Sequence, residues 1–221
     1  MVNTRRSAEH AEDTRTSLLD GAEQLFTDPG YAGATLDEVA ERARVTKGAV
    51  YHHFGSKPVL FRAVVERLFH RLVDELSVAA GEHRLAADFD LWDAVCTTYQ
   101  KRLDLVCKSP GYQRIVDQDA VAVLGYEELT RIAQSTVNAA LVPILTEAVD
   151  SGLIKPLSTD ILAKLMGSLV SVAGREIAAA SDQRRARRDI GEALDAFLQG
   201  LRQHKPATKA PRHRSQETGR P

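Results

Sequence analysis

Two threonines eleven positions apart, Thr35 and Thr46, constrain this chain more than anything else in it. Thr35 is followed three residues later by Glu38, a capping box. It opens a short helix whose apolar stripe is Leu36, Val39, Ala40 and Ala43. Thr46 opens a second short helix that contains Val50 and runs to about Phe54, so only Arg44-Val45 remain for the turn between them. Upstream, Leu18, Leu19, Ala22, Leu25 and Phe26 recur at helical spacing until Asp28-Pro29-Gly30 stops the run. Downstream, Ser56 caps a long helix carrying Phe61, Val65, Leu68, Leu72 and Leu76. Two short helices on a tight turn, behind a third, are a helix-turn-helix signature.

Helical periodicity continues over about 91–107, 126–150, 158–180 and 186–203, and no alternating strand pattern competes with it. Aromatic residues are only 5% of the chain, which also disfavours a sheet. The expected fold is all-α with about nine helices. An N-terminal three-helix domain spans 12–72, with the helix-turn-helix motif at about 35–54. A C-terminal helical bundle spans 80–203, and a disordered basic tail spans 204–221. No run approaches twenty apolar residues, so no membrane-crossing helix is expected, and the first seven residues lack the apolar core of a secretion signal. Cys96 and Cys107 fall on one helix roughly 16 Å apart, too far to bridge. The chain reads as soluble, reduced and cytoplasmic.

The net charge of -1 hides an uneven distribution. Residues 1–57 carry 7 Lys+Arg against 9 Asp+Glu, residues 58–200 carry 16 against 20, and residues 201–221 carry 6 against 1. The tail reads as a solubilising end, with weak attraction to DNA phosphates as the alternative. Because the N-terminal domain is net negative, DNA binding must rest on a few placed cations, with a modest salt dependence.

The first turn of the second short helix, Thr46-Lys47-Gly48-Ala49, has the chemistry of a major-groove reader. Gly48 weakens a helix by about 1 kcal/mol relative to Ala, so local stability does not account for it; small side chains let the backbone approach base edges. Lys47 opposes the helix dipole, a penalty that a phosphate or guanine reverses. Tyr51 and His52 lie one turn on, where a DNA backbone would run. The helix start at Ser56-Lys57 and the one at Thr35 offer N–H groups to phosphates. Arg5 and Arg6 read as a frayed terminus, with a minor-groove arm as the alternative. His52 and His53 point about 100° apart and cannot share a metal, and no metal or cofactor site is expected.

Leu18 through Phe26, Gly30-Tyr31 and Thr35 through Phe54, with Lys47-Gly48-Ala49-Val50-Tyr51-His52-His53-Phe54 and then Lys57, closely resemble the DNA-binding domain of the TetR family of bacterial transcriptional regulators. The likeness covers residues 12–72; the rest matches in length and helicity, and loosely around Asp119 to Gly125. It implies a DNA-binding regulator, a repressor released from a palindromic operator by a small-molecule effector. Thr35, Arg44, Thr46, Lys47, Gly48, Ala49, Tyr51, His52 and Lys57 would then face DNA. The family usually has Gly in the turn where this chain has Arg44, so either the turn differs or a left-handed arginine adds a charge near DNA.

The resemblance also implies a homodimer with an apolar effector. The apolar band of 158–180, with Leu165, Leu169 and Val172, together with Phe197 and Leu201, is wide enough for an intersubunit four-helix bundle. Trp92, Cys96, Tyr99 and Leu103 share one helical face, which reads as plain core or, with its polar tips, as a ligand wall. Asp117 and Asp119 are placed in a break between helices that can face a cavity. Arg175, beside Glu176, reads as an interface ion pair or a ligand contact. An enzyme reading finds no Glu-x-x-His pair in the larger domain, no phosphate loop and no nucleophile–base pair. The remaining alternative is a constitutive DNA-binding or scaffold dimer without ligand response.

Overall fold

The computed structural model describes residues 2–84 and 89–203. Nine helices account for the described residues: α1 Val2–Thr27, α2 Leu36–Arg42, α3 Lys47–Phe54, α4 Lys57–Arg84, α5 Leu91–Lys108, α6 over 110–124, α7 Tyr126–Asp150, α8 Thr159–Ala179 and α9 Gln183–Gln199. The all-α architecture expected from periodicity is what forms. The tail predicted for 204–221 lies outside the described residues. Arg5 and Arg6 do not sit on a frayed arm: the backbone is already helical there, as a stretch free of Gly and Pro and rich in Ala, Arg and Glu allows.

The first four helices are held by one apolar cluster. Leu18, Ala22 and Phe26 of α1, Val39 of α2, Val50 of α3 and Leu60, Phe61, Val64 and Val65 of α4 are fully buried together. Each of these side chains other than Ala22 contributes about 1.5–3 kcal/mol of burial. Phe61 packs edge-on to Phe26 at 5.2 Å and to Tyr31 at 4.9 Å, which sets the crossing of α1 and α4.

α4 continues out of this cluster and packs on α5, α6 and α7, while α5, α8 and α9 close the far side. The segment after α9 adds an isolated antiparallel bridge, Ile154 to Arg202, and Arg202 also holds Asp93 at 2.8 Å and Asp90.

Two corrections concern the middle of the chain. The segment expected to be a break around Asp117 and Asp119 is helix α6, opened by a π-helical stretch at Tyr112–Asp119. Its wide turn rotates Tyr112, Ile115 and Val116 inward. Second, α7 is long and apolar enough to pass for a membrane-crossing helix. It nonetheless carries Glu127, Glu128 and Arg131 in its first turns, packs on α4 and α8, and widens into its own π turn at Gln134–Asn138.

The joint between the two parts is polar. The Tyr31 N–H, in the α1–α2 loop, donates to Asp119 Oδ2 at 3.0 Å, and Arg114 Nε donates to the same oxygen at 3.3 Å. Arg114 lies across Gly30, where a Cβ would sit 2.2 Å from its Nη2. Gly30 (φ +100°) also takes a left-handed turn that L side chains avoid. On the other flank Arg62 of α4 holds Glu128 of α7 at 2.6 Å.

Candidate nucleic-acid interface

α2 and α3 are short and are held by their caps. Thr35 Oγ1 accepts from the Glu38 N–H at 3.2 Å, and Glu38 Oε2 accepts from the Thr35 N–H at 2.8 Å and its hydroxyl at 2.7 Å. These bonds also hold the Glu38 carboxyl below its usual range. The predicted capping box is therefore complete, and a phosphate approaching Thr35 competes with that carboxylate. Thr46 Oγ1 accepts from the Ala49 N–H at 3.3 Å. Between them the chain reverses at Arg44, with φ +57°, and the Val45 N–H closes back on the Ala40 carbonyl at 3.0 Å. The turn thus keeps its left-handed residue without glycine, at a cost of roughly 1 kcal/mol, and leaves the Arg44 side chain exposed.

Val50 and Phe54 anchor α3 from below; Arg15 lies 5.6 Å over the Phe54 ring. The opposite face is bare: Thr46, Lys47, Gly48, Tyr51 and His52 are all exposed, and Ala49 is half-buried beside them. Tyr51 has 48% of its surface free, a large value for an aromatic side chain in a domain with an apolar core available. Gly48 has an ordinary helical backbone, and a Cβ there would meet nothing closer than Thr46 Oγ1 at 3.8 Å. Neither conformation nor internal packing calls for glycine at this position.

Lys47 Nζ forms an exposed ion pair with Asp37 at 2.7 Å, which raises its pKa through that hydrogen bond and charge. The pair orients the ammonium at the mouth of the turn, in water, where an incoming phosphate or base edge can exchange with the carboxylate. Lys57 lies away from this face, its Nζ 4.3 Å over the Tyr31 ring. Arg42, Arg67 and Arg71 are engaged by Gln24, Asp20 and Glu23.

A second concave feature lies in the bundle. A cavity of about 120 Å³ sits between α4, α5 and α7. Of the six residues proposed from sequence for a ligand, only Tyr99 lines it. Trp92 is buried on another side of α5 and donates from its indole to the Leu198 carbonyl at 3.2 Å. Cys96 receives Gln199 Nε2 at 3.7 Å, and burial pushes its thiol up to about 12, the behaviour of an inert core cysteine. Leu103 is core. Asp119 serves the joint at Tyr31, and Arg175 is exposed. Arg175 and Glu176 form no ion pair within the described residues. The cavity residue that sequence reasoning missed is Arg102, one turn beyond Tyr99 and only 5% exposed; a charge within an apolar stripe was the signal for it.

Of the expected interface residues, Leu165, Val172 and Phe197 are exposed while Leu169 and Leu201 are half-buried. With Ile161, 58% exposed, they form an apolar strip along α8 and α9.

A capped helix pair on a left-handed turn, presenting a small-residue first turn flanked by lysine, tyrosine and histidine, defines a helix-turn-helix DNA-binding protein. The family model described as bacterial regulatory proteins, tetR family, matches residues 18–64, and the one described as tetracyclin repressor-like, C-terminal domain, matches residues 92–201. The transcriptional repressor NemR of Escherichia coli K12 is 30% identical over 149 residues, covering 65% of this chain and 71% of that protein. A TetR-family regulator from Pectobacterium atrosepticum superposes with a TM-score of 0.70 at 28% identity, over 88% of this chain and 96% of that one. RolR in complex with resorcinol superposes at 0.65 with 16% identity, over 86% and 89%, a likeness of fold. The chain belongs to the TetR family of DNA-binding transcriptional regulators, and is a regulator rather than an enzyme.

Proposed function

We propose that this regulator is a homodimeric repressor in the bacterial cytoplasm, holding a palindromic operator until a small apolar effector releases it. The observation that carries the DNA face is Gly48: a helix position with open space above it and no internal reason for glycine, beside exposed Lys47, Tyr51 and His52. Close backbone approach to base edges supplies that reason. Thr46, Lys47, Gly48 and Ala49 read the groove; Arg44, Tyr51 and His52 flank it toward the phosphates. Thr35 and Lys57 reach phosphates only by exchanging Glu38 and the Tyr31 ring.

Dimerisation is supported by the strip of Ile161, Leu165, Val172 and Phe197, which one copy leaves in water and a two-fold mate would bury. Effector response is supported by the cavity, because its α4 wall is the helix that also packs on α1 and α3. A ligand that prefers one setting of α4 shifts the spacing of the two reading heads. NemR is named a repressor, and RolR holds resorcinol in a protein of the same fold.

The test is selection of genomic DNA fragments by the full-length protein at physiological salt, alongside a Lys47→Ala, Tyr51→Ala variant. Enrichment of a palindrome that the variant loses supports the reading. Binding without sequence preference overturns it.

A further inference from the structure

The cavity between α4, α5 and α7 has hydrocarbon walls, among them Leu76, Leu91, Val95, Val137, Leu141 and Ile144. Arg102 also lines it, and its residue is 95% buried. Arg102 Nε has no hydrogen-bond partner, and among the described residues no carboxylate forms an ion pair with it. The other partly buried arginines of the chain are treated differently: Arg67, Arg187 and Arg202 each hold one or two carboxylates. One turn before Arg102, Tyr99 Oη is likewise buried and makes no hydrogen bond of good geometry; the guanidinium carbon lies 5.8 Å from its ring centre, and the guanidinium is near enough to the Tyr99 and Tyr112 phenols to oppose the rise in their pKa values. Asp117 on α6, a half-buried acid whose Oδ2 is buried without a partner, makes no ion pair with Arg102.

Arginine does not shed its proton in a protein, so this cavity carries a permanent positive charge with no counter-charge among the described residues. Such a charge is strongly unfavourable in an empty apolar site, and a ligand anion removes that penalty. Burial pushes the Tyr99 phenol up to about 12, so it keeps its proton and stands as a donor beside the guanidinium. A guanidinium fork with one phenol O–H matches the two oxygens of a carboxylate; a phosphate dianion would need more donors than these two groups offer. An enclosed cavity of about 150 Å³ accommodates benzene; this one, at about 120 Å³ and open on one side, takes most of a hydrocarbon body of that size and leaves the rest at its mouth.

We infer that the cavity binds the anion of a small apolar carboxylic acid, with the carboxylate on Arg102 and Tyr99 and the hydrocarbon body against α4 and α7. This deepens the effector reading given above and rests on it for its regulatory meaning, though not for the binding itself.

Calorimetric titration of the full-length protein with phenylacetate, hexanoate and the neutral phenylacetamide tests the inference. At least one acid is expected to bind more than about tenfold tighter than the amide; which acid binds better separates an aromatic from an aliphatic source. Arg102→Gln is expected to abolish that preference, and Tyr99→Phe to weaken binding of the acid while leaving that of the amide unchanged. Equal affinity for acid and amide, no binding of either acid, or an Arg102→Gln protein with wild-type affinity overturns the inference. The acid–amide contrast is made on the unaltered protein and does not depend on the variants folding. Operator release is read in parallel. An acid that binds through Arg102 but leaves the DNA complex intact removes the effector role and keeps the site. Release by a neutral compound that is indifferent to Arg102, with no binding of either acid, keeps the effector role and removes the inference.

Discussion

Asp117→Asn is expected to change how stability depends on pH. Asp117 Oδ2 is buried against α8, near Gly174, with no hydrogen-bond partner. Burial pushes its carboxyl up to about 7, against the smaller opposing pull of Arg175. In the unfolded chain an aspartate titrates near 3.9. Between those two values the folded protein keeps a proton that the unfolded chain has lost, so rising pH favours unfolding. The slope is about 1.4 kcal/mol per pH unit, and it flattens once the folded carboxyl has ionised above pH about 7. From pH 5 to pH 8 this one group therefore removes about 3 kcal/mol, a large share of a typical domain's stability of about 5–15 kcal/mol. Asparagine keeps the shape and carries no proton to lose. Urea unfolding of wild type and variant, at one protein concentration across that pH range, isolates the effect, because every other titrating group cancels in the difference. The variant's advantage is expected to grow steadily to about pH 7 and then level. A difference that stays flat with pH would refute the argument, since it would mean that Asp117 ionises in the folded protein as easily as in the unfolded one.

Gly48→Ala is expected to stabilise the fold by about 0.5–1 kcal/mol while weakening operator affinity; thermal melts and DNA titration on one sample check both signs, and unchanged DNA affinity sinks the close-approach reading. Arg44→Gly removes a left-handed side chain (φ +57°) and is expected to leave stability unchanged or raise it by up to about 1 kcal/mol, seen as a shift in the urea midpoint. Asp119→Ala leaves the Tyr31 N–H and Arg114 without their shared acceptor. It is expected to cost about 1–3 kcal/mol and to weaken the link between effector binding and DNA release, measured as the ratio of operator affinities with and without ligand. Leu165→Asp with Val172→Asp places two charges on the exposed strip of α8; sedimentation is expected to show a monomer, and a dimer that persists would move the interface elsewhere.

The reading head was legible because its information is local. A threonine followed three residues later by glutamate, a second threonine cap and a two-residue turn all act within a few residues, and the structure forms each of them between Thr35 and Phe54. Even the unusual Arg44 takes the left-handed backbone that a turn of this length demands. The side chains on the bare face were legible for the same reason, since residues not spent on the core of so short a helix point outward. What sequence did not show was their engagement: Lys47 with Asp37, Lys57 over Tyr31, and Thr35 with its own Glu38.

The cavity shows where local information stops. Trp92, Cys96, Tyr99 and Leu103 share a helical face in sequence, yet α5 is surrounded by α4, α8 and α9, so residues along that face meet different neighbours. Trp92 reaches the Leu198 carbonyl of α9, while Tyr99 and Arg102 turn to the space before α7. Asp119 was misplaced likewise, because a π turn is not visible in apolar spacing and the partner of Asp119 lies 88 residues away. The sequence alone determined the helices, their caps and the exposed first turn of α3, since these depend on contacts a few residues apart. Only the tertiary structure decided that one arginine would be buried without a counter-charge among the described residues, because whether a charge finds its partner depends on which helices the fold brings together.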